Sequence, residues 1–276
     1  MTRLVVLFSL ALFFACEEIP PVVTPVTPGQ TQDPGGVDEQ EKQVLIEEFT
    51  GVRCVNCPAG SAAIEDLLAI HGERLIAVSI HAGFFSSPSN DIPLDLRTEG
   101  GDEILNLLGE PLGYPTAVID RTAFVGGDLQ TSSGDWAGII AQELANPVRL
   151  QIDLQPTYSE EDRNLAVELA FIVADNLGDA ELRYTVLLTE SNVVGPQDTP
   201  EGIVADYKHQ HVLRTLLTPA TGDLLAASPA QGERIEKMLE FVLPDDYDAE
   251  QVEVIVFAHR GGGEKGVVQA ARKKLR

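Results

Sequence analysis

Cys54-Val55-Asn56-Cys57 follows the apolar run Val44-Leu45-Ile46 and the turn Phe49-Thr50-Gly51, and it opens a segment with helical spacing. Few local patterns constrain a fold as tightly. Two thiols one turn apart at a helix start can close a small disulfide ring, and the helix dipole with its free N–H groups favours a thiolate on the first, outward-facing Cys54. Three chemistries fit the spacing: a redox-active dithiol, a purely structural disulfide, and half of a metal site. The metal reading needs two further ligands. The only other cysteine is Cys16, at the far N-terminus, and no histidine has finger-like spacing to this pair.

Residues 1–16 set the compartment. Arg3 gives a short positive start, and Leu4 to Phe14 is apolar but too short to span a bilayer. The segment ends Phe13-Phe14-Ala15-Cys16, which resembles a bacterial lipoprotein signal cleaved before Cys16 and acylated on its thiol, although Phe13 stands where such signals prefer Leu. An ordinary cleaved signal is the alternative reading, and both export the chain. With Cys16 carrying lipid, Cys54 and Cys57 remain as an even pair in an oxidising compartment. No later segment is apolar for long enough to cross a membrane, so the lipid is the expected anchor. Residues 16–42 are rich in Pro, Thr and Gly and read as an extended tether without secondary structure. Roughly 235 residues follow, enough for one large or two ordinary domains.

The charge balance excludes some functions. With 43 acidic against 19 basic residues, the net charge is −24, and such a surface repels phosphate backbones, so no nucleic-acid partner is expected. Arg272-Lys273-Lys274-Arg276 is the one basic cluster and reads as a solvated tail.

The texture of the chain changes near Pro147. From 43 to 147, strand and helix alternate: strands at 44–48, 75–80 and 117–120, and helices at 57–70, 102–108 and 133–145, which predicts an α/β domain. From 148 to 276, half-buried strands recur with turn signals between them and without a helical period. Those at 148–154, 165–173, 182–188, 207–216, 235–243 and 252–258 predict an all-β sandwich of immunoglobulin-like type.

The run Val44-Leu45-Ile46-Glu47-Glu48-Phe49-Thr50-Gly51-Val52-Arg53-Cys54-Val55-Asn56-Cys57-Pro58 resembles the active-site strand and helix of thioredoxin-like proteins. Tyr114-Pro115-Thr116, placed before a strand, is similar to the cis-proline loop of that fold. Glu-Glu-Phe-Thr-Gly-x-x-Cys-x-x-Cys-Pro behind a lipoprotein signal resembles the outer membrane protein 28-related lipoproteins of the Bacteroidetes group. The resemblance implies roles for single residues: Cys54 as attacking thiol, Cys57 as the buried resolving thiol, and Glu48 as a buried acid that takes up the Cys57 proton. It implies a cis Pro115 that lies against the dithiol, keeps metal out and presents backbone to a substrate strand. Arg53, Tyr114 and Thr116 would then shape the substrate groove. Arg53 stands where thioredoxins carry Trp, and a cation there lowers the thiol pKa and favours the reduced form. For Glu48 the alternative is an outward-facing carboxylate, because Glu47 and Glu48 point to opposite strand faces and one of them is expected in solvent.

His209-Gln210-His211 is a second constellation. At strand period both imidazoles share a face and could hold a metal with Asp206, but no third ligand is convincingly spaced, so neither a metal nor another cofactor is expected. Tyr207 and Tyr184 read as packing residues. No G-x-S-x-G elbow supports a hydrolase. Two functions remain. One is a lipid-anchored outer-membrane protein exchanging disulfides with envelope protein thiols. The other is a non-catalytic surface binding or adhesion lipoprotein for an unknown protein ligand, with Cys54–Cys57 as a staple.

Overall fold

Strand β1 (Val44–Thr50) is buried over its whole length, so its sequence shows no polar–apolar alternation. The computed structural model describes residues 40–111, 113–124, 127–178 and 180–276; the signal segment 1–15, the acylation site Cys16 and residues 16–39 of the expected tether lie outside the described residues. Helix α1 (Cys57–His71) buries Cys57, Gly60, Ile64 and Leu67 on β1 and on β2 (Leu75–His81), which pairs parallel to it. Helix α2 (Glu99–Leu108) starts three residues earlier than its apolar spacing predicts, because Thr98 Oγ1 caps it by accepting from the Gly101 N–H at 2.9 Å. Strands β3 (Thr116–Ile119) and β4 (Gln130–Thr131) extend the sheet, and α3 (Ser133–Leu144) packs Trp136 and Ile140 beside α1.

The second half of the chain supplies β5 (Leu150–Tyr158), β6 (Asn164–Val173), β7 (Leu182–Glu190), β8 (Val193–Thr199), β9 (Gly202–His209), β10 (Val212–Leu216), β11 (Asp223–Ala226), β12 (Arg234–Val242), β13 (Val252–Arg260) and β14 (Val267–Lys274). These strands do not form a separate sandwich. A single sheet runs β14-β13-β7-β10-β2-β1-β3-β4, with β11 beside β7, and crosses Pro147 without a break. The immunoglobulin-like expectation is corrected accordingly: β5, β6 and β12 form a three-stranded layer, but the layer it faces, β7 and β13, belongs to the shared sheet. The physical reason lies in β7 and β13, which are buried on both faces and hence lack the alternation of a sandwich strand. The basic C-terminal cluster also differs from the expected tail. It ends β14, where Arg272 pairs with Glu253 and Glu73 at 3.6 and 3.3 Å.

Side chains as well as the shared sheet join the halves. Leu45, Phe49, Ile76, Val78 and Ile80 share one apolar cluster with Leu187, Leu213, Ile255 and Phe257. Within it Arg121 donates to both carboxylate oxygens of Glu47, at 2.8 and 2.7 Å, with its guanidinium 4.7 Å from the Phe257 ring centre. Both side chains are fully buried. Neither glutamate of β1 faces solvent, contrary to the expectation for one of the pair; Glu47 meets this arginine and Glu48 lies under α1. Where the described chain begins, Gln40 clamps both the N–H and the carbonyl of Ile152 in β5, Gln43 N–H donates to Gln269 of β14, and Lys42 pairs with Asp120 at 2.7 Å.

Removing one member of a buried ion pair strands its partner's charge. Arg121→Met is expected to lower stability by about 3–5 kcal/mol, and Glu47→Leu combined with Arg121→Met to recover most of that loss. Urea unfolding of the three proteins checks it.

Candidate functional site

At the C-terminal end of β1 the chain turns through Gly51, whose missing side chain is needed: a Cβ there would lie 2.5 Å from the backbone carbonyl of Phe85. Arg53 N–H donates to the Phe85 carbonyl and Cys54 N–H to that of Gly51, which fixes the loop before α1. Cys54 and Cys57 are joined in a disulfide with Cα atoms 5.3 Å apart. Pro58 sits in the first turn of α1, where its lacking N–H costs nothing. One expectation fails here. Cys54 is not outward-facing: it is 3 % exposed and Cys57 2 %, because the loop after β2 and the β8–β9 hairpin pack over the loop from opposite sides.

Glu48 lies beneath the first turns of α1. A Cβ on Gly60 would come within 2.6 Å of the Pro115 ring and 2.8 Å of Glu48 Oε1, so glycine there allows helix, proline and carboxyl to converge. Ser79 Oγ donates to Glu48 Oε2 at 3.3 Å, while Oε1 has no protein partner. Burial pushes the Glu48 pKa up to about 8, against a smaller lowering by Ser79, so the carboxyl is protonated at neutral pH. The Tyr114–Pro115 bond is cis.

The residues assigned to a substrate groove divide. Tyr114, Pro115 and Thr116 line one cleft of about 510 Å³ together with residues 108–110 and 128–132. Tyr114 Oη donates to the Ala82 carbonyl at 3.0 Å, and burial raises its pKa to about 12. Thr116 Oγ1 bonds the Thr131 carbonyl at 2.9 Å. Arg53 is not part of this cleft. Its guanidinium bonds the Phe84 carbonyl at 2.6 Å and lies over the exposed Phe84 ring.

The sequence reading missed a polar cluster behind the disulfide. Cys57, Ser61, Ser79, His81, Gln197, Tyr207 and His209 surround a cavity of about 10 Å³. His81 and His209 meet edge to face at 5.5 Å, and Tyr207 meets His209 at 4.9 Å. Burial lowers the pKa of His81 to about 3, helped by the neighbouring His209, and that of His209 to about 4, so both rings are neutral. His209 and His211 do not share a face. His211 adopts a left-handed φ of 53° between β9 and β10, which turns its ring to Glu65 at 3.2 Å while His209 points inward. Asp206 is exposed. Among the described residues no cluster of three His, Cys, Asp or Glu side chains is arranged to hold a metal. A signal for the cluster existed in the polar residues Ser79 and His81 that end an otherwise apolar strand.

A family model described as outer membrane protein Omp28 matches residues 110–276. Among solved structures the chain is similar to HBP35 of Porphyromonas gingivalis, with a TM-score of 0.68 and 22 % identity over 85 % of this chain and 76 % of that one. It is also similar to a protein from Agrobacterium tumefaciens, with a TM-score of 0.54 and 10 % identity over 86 % of this chain and 96 % of that one. Both are likenesses of fold. No curated protein matches the chain.

The pKa values above set the pH dependence of stability. Glu48 holds its proton to about pH 8 when folded but releases it near 4.5 when unfolded, so its contribution to stability declines as pH rises between those values. His81 and His209 act oppositely: the unfolded chain binds protons near 6.5 and the folded one only near 3 to 4, so stability falls as pH drops below 6.5. Glu48→Gln, which cannot ionise, is expected to gain stability relative to the parent by on the order of 1 kcal/mol per pH unit between 5 and 8. Urea midpoints at pH 5, 6.5 and 8 check the trend.

Proposed function

The chain belongs to the Omp28 family of outer membrane proteins, and from that premise we propose that it is a lipid-anchored envelope protein whose Cys54–Cys57 disulfide exchanges with protein thiols. In this reading residues 43–147 are a thioredoxin-like unit, with β1 and β2 parallel, α1 opening on Cys57, and β3 antiparallel to β1 just after Pro115. The observation that carries the exchange reading is Glu48: a fully buried, protonated carboxyl under the helix turn that begins with the resolving thiol. A staple does not need such a group, and an unpaired buried oxygen costs about 1–3 kcal/mol.

The chemistry balances with thiols and one disulfide alone. A substrate thiolate attacks Sγ of Cys54, forming a mixed disulfide and expelling Cys57 sulfur with the electron pair. Glu48 hands its proton to that thiolate. A second substrate thiolate then attacks the substrate sulfur of the mixed disulfide and releases Cys54 as a thiolate, so the substrate leaves oxidised and the protein reduced. Tyr114, Pro115 and Thr116 border the cleft that would receive the substrate backbone.

The anchor rests on the sequence before the described residues. The apolar segment ending Phe14-Ala15-Cys16 has the form of a lipoprotein signal, and the Pro-rich stretch to residue 42 gives the body reach from a membrane.

Two measurements test the proposal. Cys57→Ser is expected to trap a mixed disulfide on Cys54 with envelope proteins, and the parent to reduce insulin in the presence of dithiothreitol or to reoxidise reduced ribonuclease A. Absence of both leaves the staple. Cys16→Ser is expected to move the protein from the membrane to the soluble fraction with its urea midpoint unchanged; retention in the membrane would refute the lipid anchor.

A further inference from the structure

Among the described residues the β8–β9 hairpin pairs with no other strand: it is a two-stranded sheet by itself, contributed by the half of the chain that does not carry the cysteines. Such a hairpin is marginal alone, so its order depends on what it covers. Gln197 Nε2 donates to the carbonyls of Gly51 and Cys54 at 3.3 and 3.1 Å, and the Asp198 N–H donates to that of Val52 at 2.9 Å. Tyr207 on β9 lines the small cavity behind Cys57 together with Ser61 of α1. The hairpin is thus held by these polar contacts together with Val193, which packs in one small apolar cluster with Val52, Ile92 and Leu96, and with Gly195, which lies close against Leu94; Cys54 and Cys57 are buried beneath it.

The interface under the hairpin is poorly satisfied. His209 Nε2 on the hairpin and His81 Nδ1 on the body make no hydrogen bond to protein. Each unpaired buried polar atom weighs against closure. The two feet of the hairpin, Asn192 and His211, adopt left-handed φ values of 59° and 53°, a conformation that non-glycine residues hold at a cost. Their flanks are cross-tied by the Asn192 and Gln210 side-chain amides at 3.1 Å. Two strained feet and an underbonded inner face are the features of a hinged element.

We propose that β8–β9 is a hinged cover that sets which thiols reach the disulfide, with Gln197 as the positioning residue that holds it down on Cys54. The proposal deepens the exchange reading and rests on it only for its biological purpose, since the cover can be measured with a small reductant. Lifting the hairpin breaks the bonds from Gln197 and Asp198, exposes Sγ of Cys54, and hydrates His81 and His209 together. A partner that engages the hairpin therefore controls access to the sulfurs.

The full-length protein reduced by dithiothreitol at pH 7 tests this. The second-order rate for the folded protein is expected to be at least tenfold below that of the same disulfide in the urea-unfolded chain. Gln197→Ala is expected to recover at least fivefold of that difference, with an unchanged urea midpoint. Asp198→Pro serves as the second variant, removing the N–H that donates to the Val52 carbonyl. Hydrogen exchange on the parent is expected to show the 193–209 amides opening faster than those of β1 and β2. Equal rates in the folded and unfolded parent, or no acceleration in either variant, would overturn the cover. A variant that is reduced faster yet transfers no disulfide to reduced ribonuclease A would keep the cover and remove the exchange reading.

Discussion

Burial of two consecutive carboxyl groups in one strand organises this molecule. β1 lies inside the shared sheet, between β2 and β3 and covered on both faces, so Glu47 and Glu48 both enter the interior, on opposite faces. A charge there is tolerable only with a partner, and Arg121 supplies one to Glu47 in a bidentate pair stacked on Phe257. Because Phe257 belongs to β13, that pair ties the early strands to the late ones. Glu48 takes the other solution and keeps its proton. One strand thus carries an ion-paired carboxylate and a protonated carboxyl side by side, distinguished by which neighbour the pleat gives each.

The cysteine-bearing segment is only partly responsible for its own environment. The carbonyl of Cys54 is held by Gln197, and the space behind Cys57 is closed by Tyr207 and His209, more than 130 positions along the chain. Residues 110–276, which the family model matches, contain these walls and Pro115 but not the cysteines themselves. The part shared with the family therefore includes the scaffold around the disulfide.

The cysteine pair, its strand and helix, and the proline loop were legible because each has a local cause: an apolar run, a helix start, and X-Pro before a strand. Arg53, Tyr114 and Thr116 were placed in one groove, and the structure assembles only the last two. Glu47 and Glu48 misled because a charged side chain in a strand is ordinarily at a surface, and nothing near them in sequence announces Arg121. The hairpin was illegible for a related reason. Residues 207–216 read as one strand, and the left-handed residue at His211 that breaks it into two elements has no sequence signal of the Gly or Asn kind. β14 read as a tail because its lysines and arginines look solvated until Glu253 and Glu73 stand opposite.

The clamps at Gln40, Lys42 and Gln43 sit at one end of β1, and the disulfide follows its other end. Seven residues of strand, about 23 Å at 3.3 Å each, separate them. A pull between the start of the body and a partner held covalently at Cys54 would therefore run along β1, parallel to its axis. Its ladders to β2 and β3 would then be loaded together in shear, rather than opened one hydrogen bond at a time. The strand that leads into the disulfide is thereby the member that would carry such tension.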